Sequence, residues 1–214
     1  MGARKSLDSQ TILIAAAELA EEKGLENVSL LQVAQRLGVK PPSLYNHLSG
    51  LKEISSGLAA LALKRLDAAM RDAAVGRAGA DALTSIAQAY REFVRENPEL
   101  YKAIMRFPEC DDGDVQESGH AVIRILYQVL QPYRLGDEGT VHFARAFRAA
   151  LHGFASLETA GFFRDPGVDA DESYKRLVSC LLSALDKEKG AQGLLDVLNG
   201  MDGLPALDKE KEAQ

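Results

Sequence analysis

The chain has 214 residues, 46% of them hydrophobic, with no tryptophan, two cysteines and a formal net charge of −6. That is enough chain to bury one large core, or one small and one medium core, which excludes a disordered or disulfide-stapled polypeptide. No run approaches the roughly 20 apolar residues a membrane helix needs, and the opening MGARKSLDSQ lacks the apolar centre of a secretory signal; a cytoplasmic location with no membrane partner is expected.

In chain order, Thr11 to Lys23 (TILIAAAELAEEK) reads as an amphipathic helix closed by Gly24. Ser29 followed by Gln32 is a capping box that fixes the start of a second helix. Leu30, Val33, Ala34 and Leu37 then form its apolar stripe, with the small Ala34 placed for a close helix crossing. Gly38 suits the left-handed conformation that ends it. Lys40 precedes Pro41 and is pushed out of the helical region, while Pro41 and Pro42 suit the first turn of a third helix. That helix turns Leu44 inward and presents Ser43, Tyr45, Asn46 and His47 outward. The spacing of small residue, glycine and aliphatic is that of a helix-turn-helix. Leu51 opens a long fourth helix running to about Asp72.

The run from Ile12 to Leu58 resembles the DNA-binding domain of the TetR family of one-component transcriptional regulators, including the Leu44, Tyr45, His47 cluster and Lys52. That resemblance implies a double-stranded DNA operator as partner. It places Tyr45, His47 and Lys52 at the phosphate backbone, whereas Lys40, Ser43 and Asn46 have side chains able to reach base edges or phosphate. Asn46 stands where the family often holds a bulky aromatic. Up to Lys52 the net charge is +1, leaving −7 for the remainder. The acidity therefore belongs to the second part of the chain, and Arg4, Lys5, Lys40 and Lys52 flank the expected reader.

Beyond Lys52 the helices continue. A fifth is predicted from Asp81 to Asn97, and a short sixth from Pro98 to near Phe107. A seventh runs from Asp114 to Gln131, an eighth from Thr140 to Ala160 and a ninth from Glu172 to Leu185. The expected fold is all-α with about nine helices: a three-helix DNA-binding domain over 1–50, a larger bundle for ligand sensing and dimerisation over 51–187, and a tail over 188–214. In that tail LPALDKEKEAQ at 204–214 nearly repeats LSALDKEKGAQ at 182–192. The second copy contains Pro205 and is expected to form a mobile or loosely docked extension.

The apolar stripes of the eighth and ninth helices, including Phe147, Leu151, Phe154, Tyr174, Leu177, Val178, Leu181 and Leu185, are wider than one core contact requires. They are read as a homodimer interface, with internal core as the alternative. Candidates for a pocket holding a small-molecule effector are Tyr90, Phe93, Met105, Phe107, His120, Arg124, Tyr127 and His152, most of which can equally be core. The segment around Leu151, His152 and Gly153 is similar to a TetR subgroup with a Trp-His-Gly sensor motif, with leucine replacing the tryptophan.

Enzymatic site chemistry is missing from the sequence: there is no phosphate loop, nucleophile elbow or His-Glu-x-x-His. His142 and His152 lie nearly three helical turns apart, too far to share a metal ion, so no metal and no cofactor are expected. Cys110 and Cys180 are far apart in sequence and suit two free buried thiols. The reading is a dimeric repressor of the TetR type, bound to a palindromic operator and released by a small-molecule effector. An effector-independent helix-turn-helix protein or an activator is the alternative.

Overall fold

A computed structural model describes residues 7–106, 112–164 and 166–201, with side chains described as far as Lys187. Among the described residues there are nine α-helices and no strand. The reader comprises α1 (Ser9–Lys23), α2 (Leu30–Leu37) and α3 (Pro41–Leu44). The bundle comprises α4 (Leu51–Ala74), α5 (Gly79–Glu96), α6 (Pro98–Met105), α7 (Gly113–Leu130), α8 (Gly136–Thr159) and α9 (Ala170–Met201).

The local signals that start and stop the reader helices are those the chemistry requires. Asp8 caps α1 by accepting the Thr11 N–H at 2.7 Å. In α2 the Ser29 hydroxyl accepts the Gln32 N–H, and the Gln32 side chain accepts the Ser29 N–H at 3.2 Å. Gly38 then adopts φ 67°, ψ 28°, where its missing Cβ removes the penalty of the left-handed turn. Val33, Ala34 and Leu44 are completely buried, so α2 and α3 close a small core on α1. Arg36 strengthens that closure by pairing with Glu18 and Glu22 of α1.

From the reader, α4 passes through the centre of the molecule and packs on α1, α5, α6 and α7. Its close approach to α1 depends on Gly57, since a Cβ there would lie 2.5 Å from Leu13 Cδ2. One continuous apolar core extends from Ile12 to Leu185.

Three helices of the bundle are joined by a buried cation. Arg91 of α5 is 2% exposed and donates through Nε and Nη2 to Glu158 of α8, at 2.8 and 2.5 Å. Its Nη2 also lies 2.8 Å from the Asp171 carboxylate of α9. The guanidinium stacks over Tyr174 and Phe154, at 4.7 and 5.4 Å from their ring centres. Tyr174 in turn donates its hydroxyl to the Ala87 carbonyl.

Several sequence expectations are revised. The third helix is a single turn, because Tyr45, Asn46 and His47, all weak helix formers, follow as turns. The fifth and eighth helices begin at Gly79 and Gly136 rather than Asp81 and Thr140; acidic Asp81, Asp137 and Glu138 occupy first turns, where the helix dipole favours them. The ninth runs from Ala170 to Met201 without stopping at Leu185, carrying the first copy of the repeated segment inside it. The second copy lies outside the described residues.

The largest correction concerns the residues assigned to a dimer interface. Phe147, Leu151, Tyr174, Val178 and Leu185 are buried inside the chain's own core. Phe154 packs between Tyr174 and Phe163, whereas Leu177 and Leu181 are half-buried at the edge. Cys180 is exposed rather than buried, since it sits on the outer side of α9, away from Tyr174, Val178 and Leu185. Cys110 lies outside the described residues.

Candidate nucleic-acid interface and ligand cavity

The single turn of α3 and the turn after it form a projecting edge. Leu44 and Leu48 anchor it from below, and His47 and Leu48 donate backbone N–H groups to the Leu44 carbonyl. The Ser9 hydroxyl of α1 donates to the His47 carbonyl at 3.2 Å. On the other side, Glu53 accepts both the backbone N–H and the hydroxyl of Ser49, at 2.5 and 2.6 Å, which ties the edge to the first turn of α4. Those same bonds hold the Glu53 carboxyl below its ordinary pKa.

On this scaffold Lys40, Tyr45, Asn46 and Lys52 are exposed, and Ser43 and His47 are half-buried. Tyr45 is 58% exposed, so it does not tuck beneath α1. None of the six side chains has a hydrogen bond or ion pair with another described residue. The exposed Lys40, Tyr45, Asn46 and Lys52 therefore leave their polar groups open to solvent. Arg4 and Lys5 lie outside the described residues.

A second site is a half-open cavity of about 420 Å³ lined by α4, α5, α6, α7 and α8, with Met105, His120, Arg145 and Arg148 at its exposed side. Leu63, Leu66, Ile104, Val122 and Ile123 provide apolar walls. Across them runs a polar chain: the Tyr90 and Tyr101 hydroxyls bond to each other, and Tyr101 lies 2.6 Å from His152 Nδ1. The Ser156 hydroxyl meets the same nitrogen at 3.2 Å. Burial, and then the nearby Arg148 guanidinium, push the His152 pKa below the ordinary histidine value, leaving a neutral ring. The phenol is the better donor and the imidazole nitrogen the better acceptor, so Tyr101 donates to Nδ1 and the proton of the ring resides on Nε2. Burial likewise raises the pKa of Tyr90 and Tyr101, keeping both protonated.

Of the residues singled out from sequence as pocket candidates, Tyr90, Met105, His120 and His152 line this cavity. Phe93 is buried in the core and does not line it; Tyr127 packs against the core, and Arg124 borders a separate surface hollow with Lys64 and Asp114. Phe107 lies outside the described residues. Tyr101, Arg145 and Arg148 were not foreseen. A signal for the arginines exists, since residues 145, 148 and 152 recur at helical spacing beside the apolar stripe of α8.

The two sites are physically connected. Glu21 of α1 accepts the backbone N–H groups of Leu100, at 2.8 Å, and Glu99, at 3.3 Å, in the first turn of α6. The Glu99 carboxylate reciprocates by accepting the Leu25 N–H at 2.8 Å, and Arg106 pairs with Glu26. The eight-residue α6 is thus bonded to the reader at one side and exposes Tyr101, Ile104 and Met105 to the cavity at the other.

An amino-terminal helix-turn-helix with an open cationic and polar edge, carried on an all-helical bundle, defines a DNA-binding transcriptional regulator. Residues 12–50 match the family model described as bacterial regulatory proteins, tetR family, and residues 83–181 match that of the tetracyclin repressor-like C-terminal domain. The chain is 35% identical over 158 residues to YobS of Bacillus subtilis (strain 168), an uncharacterised HTH-type transcriptional regulator, with 73% of this chain and 82% of YobS covered. It is 28% identical over 182 residues to the uncharacterised HTH-type transcriptional regulator Rv0681 of Mycobacterium tuberculosis (strain ATCC 25618 / H37Rv), covering 85% and 83% of the two chains. Its fold is similar to that of SCO7222, a TetR from Streptomyces coelicolor, with a TM-score of 0.71 at 16% identity over 86% of this chain and 99% of that one. The chain belongs to the TetR family of transcriptional regulators.

Proposed function

We propose that the protein is a dimeric repressor that binds a palindromic operator and is released from it when a small molecule enters the cavity between α4 and α8. The observation carrying this reading is α6, which contributes Tyr101 and Ile104 to the cavity while its first turn is capped by Glu21 of the reader. A ligand that displaces either side chain shifts α6 against α1, and α2 follows through the Arg36 ion pairs. The central α4 supplies a second route, since it touches both parts. A coupling of about 1 to 3 kcal/mol suffices to change operator occupancy five- to a hundredfold.

Dimerisation is supported by what the core leaves over. On α8, Ala146 and Leu157 are exposed; on α9, Cys180 and Ala184 are exposed beside half-buried Leu177 and Leu181. These faces suit a two-fold four-helix contact in place of the residues consumed by the core. Two readers about 34 Å apart then enter successive major grooves. Within each, Tyr45, His47 and Lys52 hold phosphates, and Lys40, Ser43 and Asn46 meet base edges or phosphate.

Selection of DNA bound by the purified protein from a random pool tests the reading. A palindrome with half-sites about ten base pairs apart is expected, bound by a dimer in light scattering and released by at least one member of a metabolite panel. Recovery of no preferred sequence, or of a single half-site bound by a monomer, would refute it.

A further inference from the structure

The cavity has a one-sided polar chemistry. Among its described lining residues there is no carboxylate, yet it contains Arg145, Arg148, His120 and His152. Four arginines elsewhere in the bundle, Arg71, Arg91, Arg106 and Arg176, each meet an aspartate or glutamate. Arg145 and Arg148 have no ion pair or hydrogen bond with any described residue. They lie three residues apart on α8, so their side chains emerge from neighbouring positions of one face.

His152 adds to the same imbalance. With Nδ1 accepting from Tyr101, its Nε2–H is a donor that no described residue satisfies. Arg145, Arg148 and His120 are exposed and His152 is half-buried, and a solvent-reached wall of donors and cations with no carboxylate among its described residues favours a ligand that brings oxygen lone pairs and negative charge. Opposite it, Leu63, Leu66, Ile104 and Val122 favour an apolar body. The volume of about 420 Å³ is that of roughly 14 waters at about 30 Å³ each, room for a small amphipathic molecule.

We infer that the effector is an amphipathic carboxylate, its head held by the guanidinium groups of Arg145 and Arg148 with His152 Nε2–H as a further donor, and its apolar body lying between α4, α6 and α7. This rests on the ligand-released reading above and specifies the chemistry of the same site. The planar fork of arginine matches a carboxylate through paired hydrogen bonds, which a lysine or a neutral donor does not reproduce.

The test is calorimetric titration of the full chain with decanoate and 4-phenylbutyrate, each beside its amide, and with decylamine. The carboxylates are expected to bind at least about tenfold more tightly than the amides, with decylamine weakest. The R145Q/R148Q double variant is expected to lose that preference, whereas R145K/R148K, which keeps the charge, retains part of it. Equal or tighter binding of the amides or amine, survival of the preference in R145Q/R148Q, or binding by no member of the series would overturn the inference. Fluorescence anisotropy of the selected DNA separates it from the reading on which it rests. Carboxylates that bind with the stated preference but leave the DNA bound uphold the ligand class and defeat release. Release by amides or amine without a carboxylate preference does the reverse.

Discussion

Single side chains divide here into those that hold the bundle and those that await a partner. Arg91 is of the first kind, because its charge is buried and satisfied by Glu158 and Asp171. Arg91→Ala strands the Glu158 carboxylate and empties the space under Tyr174, and a loss of about 3 to 5 kcal/mol in chemical denaturation is expected. His152 makes stability depend on pH in a defined direction. Its folded pKa lies below the ordinary 6.5, so the unfolded chain takes up the proton first as pH falls. Stability is therefore lost between 6.5 and the lower folded value, where the ring must charge beside Arg148 and give up its bond from Tyr101, with Tyr90 and Ser156 adjoining. Thermal midpoints measured from about pH 7.5 to about pH 5.5 should fall more for the native chain than for His152→Gln; parallel curves would contradict this. On the reader, Tyr45→Ala and Lys52→Ala should weaken binding to all DNA sequences, and Lys52→Ala should lower the salt slope by about one. Changing Ser43 or Asn46 should instead alter which sequence is preferred.

At the level of helices, α2 and the start of α3 were the most legible parts, because those boundaries are written in local chemistry: Ser29 with Gln32, Gly38, then Pro41 and Pro42. The bundle was less so. Helical periodicity identifies an apolar stripe but not its neighbour, which is why Phe147, Leu151 and Tyr174 read as interface and turned out to be core. Nor does it reveal long-range polar contacts. Arg91 gives no local sign of Glu158, 67 residues away, and Glu21 none of the α6 first turn, 79 residues on at Leu100. The latter contact carries an element-level prediction. Glu21→Gln weakens the cap, and Glu21→Ala removes it along with a charge that favours a helix N-terminus, at a cost of about 0.5 to 2 kcal/mol. Effector affinity and operator affinity measured separately should change little in Glu21→Ala, while the effect of one on the other should shrink. Undiminished coupling would assign the transmission to α4 alone.

For the whole molecule, the proposed dimer calls for a surface that a second copy would cover. The outer face of α9 carries Leu177, Cys180, Leu181 and Ala184. Ala184→Arg is expected to yield a folded monomer in light scattering and to weaken operator binding by at least a hundredfold, since one reader contacts too few bases. The native Cys180 supplies an independent check: its alkylation should be slower in the assembled protein than in that variant. Equal rates would place the interface elsewhere. The division of charge, +1 up to Lys52 and −7 beyond it, bears on the same geometry by keeping the acidic bundle away from the phosphates while the reader approaches them.

The cap that Glu21 places on α6 binds backbone rather than side chain. Its two recipients are peptide N–H groups, which any residue except proline supplies at positions 99 and 100. The bundle can therefore change the identities of those first-turn residues without severing this half of the connection, whereas the reader has one carboxylate to lose. In a chimera, a foreign reader grafted onto this bundle would need an acidic side chain at position 21 to inherit the linkage, while a foreign bundle would need only a helix beginning at the same place.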